Sequence, residues 1–349
     1  MSLFAFLLIL ASTVLHATWN LIAKKNHMTV VFYACLCVTC AIVWTHVVFW
    51  TPIPIFQMPV KFWIFLFASI ASDACYCFGL MWTYRHFDMS TSYPIQRSLP
   101  ILLIIIVTKL FGWGEPLTAT AIIGMFTVFV GCLCMPLNKF SDFRIENYLR
   151  KEMLFILLVA CGTTGYTVFD SQAQKVIADF VPQVKPYIRS MTIYSVRCIV
   201  LTAVLWTIIA FTPSFRANAR EIIAQRQWST AVASVIVSVT YILVLFSMNF
   251  VTNVSYVQVF RQLGLPIGMA LGIIVLKEKS SRPKYIGVAL ILIGLTLTVS
   301  IKCPKCEGDG TLNDTIVQEN SKQPAEECPQ CDGTGKISLP RHLIEMIKK

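Results

Sequence analysis

Two segments with the same spacing of glutamate and glycine decide the architecture of this chain: 115-EPLTATAIIGMFTVFVG-131 and 278-EKSSRPKYIGVALILIG-294. In each segment a glycine follows the glutamate at nine and again at sixteen residues, and the two segments start 163 residues apart. Ser92-Tyr93 and Ser255-Tyr256 share the same separation of 163 residues. Such an ordered set of matches predicts that the chain contains an internal duplication.

The composition is that of a membrane protein. Of the 349 residues, 56% are hydrophobic and only 13% are charged, whereas soluble proteins carry about 25% charged residues. The net charge is +11. Most of the cations lie in short connections between apolar segments, as expected for loops at lipid headgroups, so the charge does not predict nucleic-acid binding.

Ten apolar segments are long enough to cross a bilayer, which takes about 20 mostly apolar residues. The first resembles a signal peptide but lacks a basic region at its start, and we interpret it as the first membrane helix. The segments are approximately 3–23, 29–50, 62–82, 91–111, 118–137, 153–174, 190–211, 228–250, 254–276 and 285–301. The predicted fold class is an all-α membrane protein of ten transmembrane helices.

The duplication divides these helices into two five-helix repeats. Residues 1–138 form the first repeat, 139–152 a loop, 153–301 the second repeat, and 302–349 a soluble tail. An odd number of helices per repeat inverts the second copy across the membrane. Inverted repeats are typical of secondary transporters, whose substrate site lies near the bilayer midplane between the repeats.

Several motifs resemble the EamA branch of the drug/metabolite transporter superfamily. They are 16-HATWN-20 with Lys24 in the first helix, and the paired glutamate and glycine motifs described above. The resemblance covers about residues 3–301. It implies a ten-helix fold with a central cavity and transport of a small metabolite without ATP, and it leaves the substrate open.

Two arginines occupy near-equivalent positions inside the repeats. Arg97 and Arg261 lie 164 residues apart, and ionisable groups within spans usually face a cavity or the bundle interior. Arg97 directly follows Gln96 and comes a few residues before Pro100. Arg261 directly precedes Gln262 and comes a few residues before Pro266. Prolines at these positions bend their helices. Guanidinium groups bind carboxylate or phosphate through two parallel hydrogen bonds. We therefore expect these residues to bind an anionic substrate.

Three further ionisable residues lie within predicted spans. Asp73 and Asp170 have two readings: they are counter-ions that pair with Arg97 and Arg261, or they are proton-coupling groups. Arg197 is in the seventh helix, which the resemblance makes peripheral. We expect a structural or snorkelling role for Arg197.

Other residues complete the candidate transport site. His16, Trp19 and Asn20 are three and four residues apart on the first helix, so they share one face. His16 is a candidate for proton coupling, and Trp19 and Asn20 are candidates for stacking on and hydrogen bonding to a substrate. Tyr93 and Tyr256, at equivalent positions in the two repeats, are further binding candidates. Glu115 and Glu278 are expected to cap the helices that follow them.

The tail contains two motifs that predict a metal site. CPKCEGDG starts at Cys303 and CPQCDGTG starts at Cys328, so Cys303, Cys306, Cys328 and Cys331 can offer four thiolates to one tetrahedral zinc ion. Each motif resembles the CxxCxGxG repeat of the cysteine-rich region of J-proteins, which has four repeats where this chain has two. A structural zinc is predicted, and a pair of disulfides or free thiols is the alternative.

We expect a secondary transporter of a small anionic or zwitterionic metabolite, working as a monomer or homodimer. The alternatives are a proton-coupled exporter of cationic or lipophilic compounds, and a sensor or assembly factor whose tail binds a protein. The chain has no HExxH, GxSxG or nucleotide-binding loop, so an enzyme is not predicted. The resemblance and a reduced zinc site favour a bacterial inner membrane location with both termini in the cytoplasm. The distribution of lysine and arginine among the loops favours the opposite orientation.

Overall fold

Helices form almost the whole of the described chain. The computed structural model describes residues 2–25, 30–86, 89–143, 151, 153–224, 228–277, 280–302, 311–312, 326–327 and 336–338. The helices are α1 (Leu3–Lys25), α2 (Val30–Trp44), α3 (His46–Trp50), α4 (Val60–His86), α5 (Met89–Phe111), α6 (Ala119–Cys134), α7 (Met153–Phe180), α8 (Pro186–Phe211), α9 (Pro213–Ala224), α10 (Trp228–Met248), α11 (Ser255–Phe260), α12 (Gly264–Leu276) and α13 (Arg282–Thr298).

Each of the ten predicted segments coincides with helical structure, with three differences. The second segment divides into α2 and α3 at Thr45. The ninth segment divides into α11, a short 3-10 turn over Arg261–Leu263, and α12. The connection 212–227, predicted as a loop, contains α9. On α9 Phe215 and Ala219 pack against the core while Arg216 and Arg220 are exposed, so this helix is amphipathic.

The helices fit a lipid bilayer. Six described stretches are long and apolar enough to cross a membrane: Val31–Trp50, Val60–Thr83, Met153–Phe180, Pro186–Phe211, Ala231–Met248 and Ser255–Ile274. Leu3–His16 and Ala119–Cys134 are apolar but shorter. Large apolar side chains such as Phe49 and Phe211 are more than 80% exposed, which would be costly in water and is favourable in lipid.

The contacts between helices follow a two-fold pattern. α4 packs on α7, and their counterparts in the other half, α10 and α1, also pack on each other. α5 packs on α7, and their counterparts α12 and α1 likewise pack on each other. Three further pairs, α2 with α8, α6 with α13, and α5 with α11, join a helix to its own counterpart in the other half. Exchanging the helices of the two halves therefore maps these pairs onto one another.

The repeated glycines form a close helix contact between the halves. A Cβ atom on Gly124 would lie 2.6 Å from the carbonyl oxygen of Gly294, and one on Gly294 would lie 2.6 Å from that of Gly124. Gly131 and Gly287 oppose each other in the same reciprocal way at 2.8 Å. The order of the two pairs shows that α6 and α13 are antiparallel. Only glycine permits this backbone approach.

The loop before α6 makes hydrogen bonds to the second half of the chain, and the residue of this loop that caps α6 is a threonine. Thr118 caps α6, because its side chain accepts a hydrogen bond from the backbone N–H of Ala121. The expected capping role of Glu115 is therefore wrong. The backbone N–H of Glu115 donates to the carbonyl of Thr252 at 3.0 Å, and its carbonyl accepts from Nδ2 of Asn253 at 3.0 Å. Glu278 lies outside the described residues.

Four short strands form two antiparallel pairs in the tail. β1 (Ser300–Lys302) pairs with β4 (Lys336–Ser338), and β2 (Thr311–Leu312) pairs with β3 (Glu326–Glu327). One cysteine motif connects β1 to β2 and the other connects β3 to β4. The four cysteines themselves lie outside the described residues.

Replacing Gly124 by alanine should destabilise the protein, because the added methyl group meets backbone atoms of α13 that cannot rotate away. Overpacking of this kind costs about 1–3 kcal/mol. The measurement is the thermal unfolding temperature of the purified protein in detergent. Gly268→Ala is the matched control, since a Cβ at Gly268 meets nothing within 4 Å. Equal unfolding temperatures for the two variants would show that the α6–α13 contact is not close-packed.

Candidate functional site

A close crossing of α4 and α7 brings the two aspartates to one place. A Cβ on Gly162 would lie 2.7 Å from the carbonyl oxygen of Ser72, and Gly165 also faces Ser72. The residue after Ser72 is Asp73, and Asp170 follows one and a half turns after Gly165. The small residues of α7 thus allow carboxylates from opposite halves of the chain to share one buried site.

Arg197 occupies the centre of this site. Its Nη2 atom lies 2.8 Å from Oδ2 of Asp73, and its Nη1 atom lies 3.4 Å from Oδ2 of Asp170. The guanidinium carbon lies 5.2 Å from the centre of the Tyr166 ring and 4.8 Å from that of Tyr241, within cation–π distance. Arg197 is only 5% exposed. Of the two roles expected for Arg197, snorkelling to the membrane surface is wrong because its charge is paired inside the bundle, whereas the structural role agrees with these ion pairs.

Hydrogen bonds fix the remaining carboxylate oxygens. Asp170 accepts from the hydroxyl of Ser69 and, at 2.6 Å, from the hydroxyl of Tyr241. Asp73 accepts from the hydroxyl of Tyr33 at 3.2 Å. The aspartates are therefore counter-ions of Arg197, and the reading in which they pair with the two arginines of the repeats does not describe this structure.

Arg97 belongs to a second cluster, on α1, α5 and the turn before α12. Its Nη2 donates to the backbone carbonyl of Arg261 at 2.8 Å, and its Nη1 lies 2.9 Å from Nε2 of His16. A guanidinium has no acceptor atom, so Nε2 of His16 must accept this hydrogen bond. His16 is consequently a neutral imidazole in this arrangement.

Arg261 is buried beside Arg97 at the irregular turn of the ninth segment. The 3-10 turn tightens the backbone, and the Arg261 carbonyl accepts both from the N–H of Gly264 and from Arg97. The Arg261 side chain is 9% exposed and lies 3.5 Å from Oε1 of Gln258. Among the described residues no carboxylate lies within 4.0 Å of this guanidinium.

One cavity of about 150 Å³ connects the two clusters. Its wall contains His16, Gln96, Arg97, Gln258 and Arg261 on one part, and Tyr33, Asp73, Tyr166, Arg197 and Tyr241 on another. α4 contributes residues from its C-terminal half, whereas α5 and α7 contribute residues from their N-terminal halves. The cavity is therefore displaced towards the end of the bundle where α4 ends and α5 begins. The hydrogen bonds of Glu115 close the opposite end.

The structure brings together part of the predicted site. His16, Asp73, Gln96, Arg97 and Arg261 line the cavity, and Asp170 contacts it through Arg197. The remaining predicted residues fall into two groups. Gln262 and Tyr256 are buried next to Gln258 without lining the cavity, whereas the side chains of Trp19, Asn20 and Tyr93 lie outside the described residues.

Sequence reasoning missed Tyr33 and assigned Arg197 the wrong environment. Tyr33, Cys37 and Cys40 are spaced by four and three residues on α2, and all three line the cavity. This spacing predicts that the three residues share one helix face, but nothing in the sequence shows whether that face lines a cavity or packs against another helix. Arg197 could not be assigned because its partners are 27 and 124 residues away along the chain.

Comparison with known proteins supports the fold and names no relative. No protein-family model and no curated protein matches the chain. A solved crystal structure, described only as that of a protein, matches with a TM-score of 0.61 at 14% sequence identity. The match covers 84% of this chain and 95% of the solved chain. This similarity shows that the helices have an arrangement known from experiment.

Replacing Arg197 by methionine should destabilise the protein strongly, because two buried carboxylates would lose their shared cation. Breaking a buried ion pair on one side costs roughly 3–5 kcal/mol. The measurement is the thermal unfolding temperature in detergent, together with the yield of folded protein.

The triple variant Asp73→Asn, Asp170→Asn and Arg197→Met should recover much of this loss, since it removes the uncompensated charges along with the cation. A triple variant no more stable than Arg197→Met alone would contradict the assignment of Arg197 as the neutralising group.

Proposed function

We propose that this protein is a secondary transporter of the drug/metabolite transporter type, which moves a small anionic or zwitterionic metabolite through the cavity between two inverted five-helix repeats. The two-fold pattern of helix contacts supports this proposal. So does the antiparallel glycine contact between α6 and α13, which is the relation expected for equivalent helices in inverted copies. Ten spanning helices are part of the proposal.

The observation that carries the proposal is the environment of Arg97 and Arg261. Both guanidinium groups line one cavity, they come from near-equivalent positions in the two halves, and their nearest described partners are a neutral imidazole, a backbone carbonyl and an amide. Two guanidinium groups that face one cavity from opposite halves of the chain are the groups that bind a carboxylate or phosphate through paired hydrogen bonds. The site therefore favours an anionic group on the substrate.

Alternating access would use the two ends of the bundle in turn. The cavity lies nearer to one end, and the backbone hydrogen bonds between Glu115 and Thr252 and the side-chain bond of Asn253 close the other. In the alternative state the repeats would exchange roles, so that these bonds open and the equivalent loops close. Arg97 and Arg261 contribute equally to both states because they lie between the repeats.

A structural zinc in the tail is the second part of the proposal. Cys303, Cys306, Cys328 and Cys331 would be the ligands, and zinc would hold the tail together in place of a hydrophobic core. The pairing of β1 with β4 and of β2 with β3 supports this, because it brings together the chain ends that flank both cysteine motifs. No cofactor is proposed for transport itself.

An exporter of cationic compounds is the competing function. Two carboxylates and the rings of Tyr166 and Tyr241 are the groups that bind a cation. In this structure Arg197 already pairs with both carboxylates and lies against both rings, which disfavours a substrate whose only charge is positive. A sensor or assembly factor acting through the tail would bind a ligand without transporting it. We place the protein in a bacterial inner membrane with cytoplasmic termini, as monomer or homodimer.

An anionic metabolite should raise the unfolding temperature of the wild-type protein but not of Arg97→Ala or Arg261→Ala. At a hundredfold excess over its Kd a ligand stabilises by about 2.7 kcal/mol, which is readily measured. The panel consists of carboxylates, phosphorylated compounds, amino acids and organic cations, and uptake into proteoliposomes follows for each compound that binds. Gly268→Ala serves as the control variant. Stabilisation by cations alone would refute the anion site and favour the competing function.

The purified full-length protein should contain about one zinc ion per chain. Replacing Cys303 and Cys328 by serine should abolish zinc binding, because two thiolates cannot close a tetrahedral site. Metal content is measured by atomic emission, with Cys75→Ser as the control since Cys75 is an exposed cysteine of α4. Full zinc content in the double variant would contradict the assigned ligands.

A further inference from the structure

The cavity is electrically divided into two parts that share no residue. Arg97 and Arg261 carry two positive charges, and their partner His16 is neutral. Arg197 carries one positive charge against the two negative charges of Asp73 and Asp170. Counted by the formal charges of these residues, the first part carries +2 and the second −1. We name them the positive pole and the negative pole.

We propose that the cavity binds a compact dipolar ion that has a dianionic group at one end and a protonated amine at the other. The dianionic end, two carboxylates or one phosphate-type group, binds at the positive pole, and the amine binds at Asp73. This assignment rests on the proposed transport function and specifies its substrate class. A ligand of this type carries a net charge of −1, which neutralises the +1 of the two poles together.

The positive pole has an additional donor for the anionic end. Gln96 lines the cavity, is 5% exposed, and its Nε2 atom has no hydrogen-bond partner among the described residues. A buried donor without a partner is costly, so a site of this kind is completed by an acceptor on the ligand. The two guanidinium groups and this amide can together satisfy more than one anionic oxygen, as a dianionic group requires.

The negative pole presents Asp73 and not Asp170 to the ligand. Asp73 lines the cavity, whereas Asp170 is fully buried behind it and is occupied by Ser69, Tyr241 and Arg197. Asp73 accepts from Arg197 and from Tyr33. Two carboxylate oxygens offer about four acceptor positions, so Asp73 can accept from an ammonium group as well.

The size of the cavity restricts the distance between the two charged ends. At about 150 Å³ the cavity is smaller than the roughly 300–1,000 Å³ of pockets that take drug-sized ligands. A cavity of this volume favours small substrates over nucleotide-linked and bulky lipophilic compounds. The substrate class is small molecules whose amine and dianionic group are a few bonds apart.

Two matched series of probes test the proposal on the wild-type full-length protein in detergent, with thermal stabilisation and competition binding as readouts. The carboxylate series is aspartate, succinate and β-alanine, and the phosphate series is O-phosphoethanolamine, ethyl phosphate and ethanolamine. In at least one series the first compound should bind about tenfold more tightly than each of the other two, because only it contacts both poles. The responding series identifies the anionic group.

The outcomes separate the two proposals. Equal affinity for succinate and aspartate, and for ethyl phosphate and O-phosphoethanolamine, would overturn the dipolar ligand while leaving an anion transporter intact. Equal affinity for β-alanine and aspartate would overturn the dianionic end. A third outcome would overturn the transport function itself. In that outcome no compound with an anionic group binds, and the protein also fails to respond to the panel of carboxylates, phosphorylated compounds, amino acids and organic cations.

Asp73→Asn provides an independent test of the negative pole. It should reduce the preference for aspartate over succinate to within about twofold while succinate binding remains. Glu221→Gln, at an exposed position of α9, is the control and should leave the preference unchanged. An unchanged preference in a folded Asp73→Asn protein would overturn the assignment of the amine. If Asp73→Asn does not fold, the two probe series on the wild-type protein decide the proposal alone.

Discussion

The ion pairs of Arg197 with Asp73 and Asp170 organise the interior of this protein. A charge buried among apolar helices is stabilised by an opposite charge, because little water is present to solvate it. Arg197 lies on α8, Asp170 on α7 and Asp73 on α4, so this requirement ties both halves of the chain together at one buried point. The close approach of α4 and α7 at Gly162 makes the arrangement sterically possible.

Neutralisation of the aspartates by Arg197 determines what the other arginines can do. If Asp73 and Asp170 were the counter-ions of Arg97 and Arg261, the cavity would be a closed set of internal salt bridges with no charge left for a ligand. Because Arg197 pairs with both carboxylates, Asp73 and Asp170 are not the counter-ions of Arg97 and Arg261. The same contacts that stabilise the bundle thus create the excess of positive charge on one side of the cavity.

The helix positions were predictable because the bilayer imposes a simple rule on sequence. Spanning segments must be apolar over their whole length, so each predicted segment from 3–23 to 285–301 coincides with helical structure. The exceptions are local. The prediction used hydropathy. Hydropathy does not distinguish a 3-10 turn at Arg261–Leu263 from an α-helix, and it does not find α9, whose polar face makes its mean hydropathy low.

The sequence by itself determined the membrane class, the helical segments, the duplication and the glycine pairs, since each is written in composition or spacing. It also identified Arg97, Arg261, Asp73 and Asp170 as ionisable residues within apolar helices. Only the tertiary structure decided which charges pair, because pairing depends on which helix faces meet, and a nearly uniform apolar helix gives no sign of its inner face. For this reason the sequence did not assign Arg197 and Tyr33 to the site. α8 and α2 orient these two residues towards the cavity, and their partners lie on helices distant in the chain.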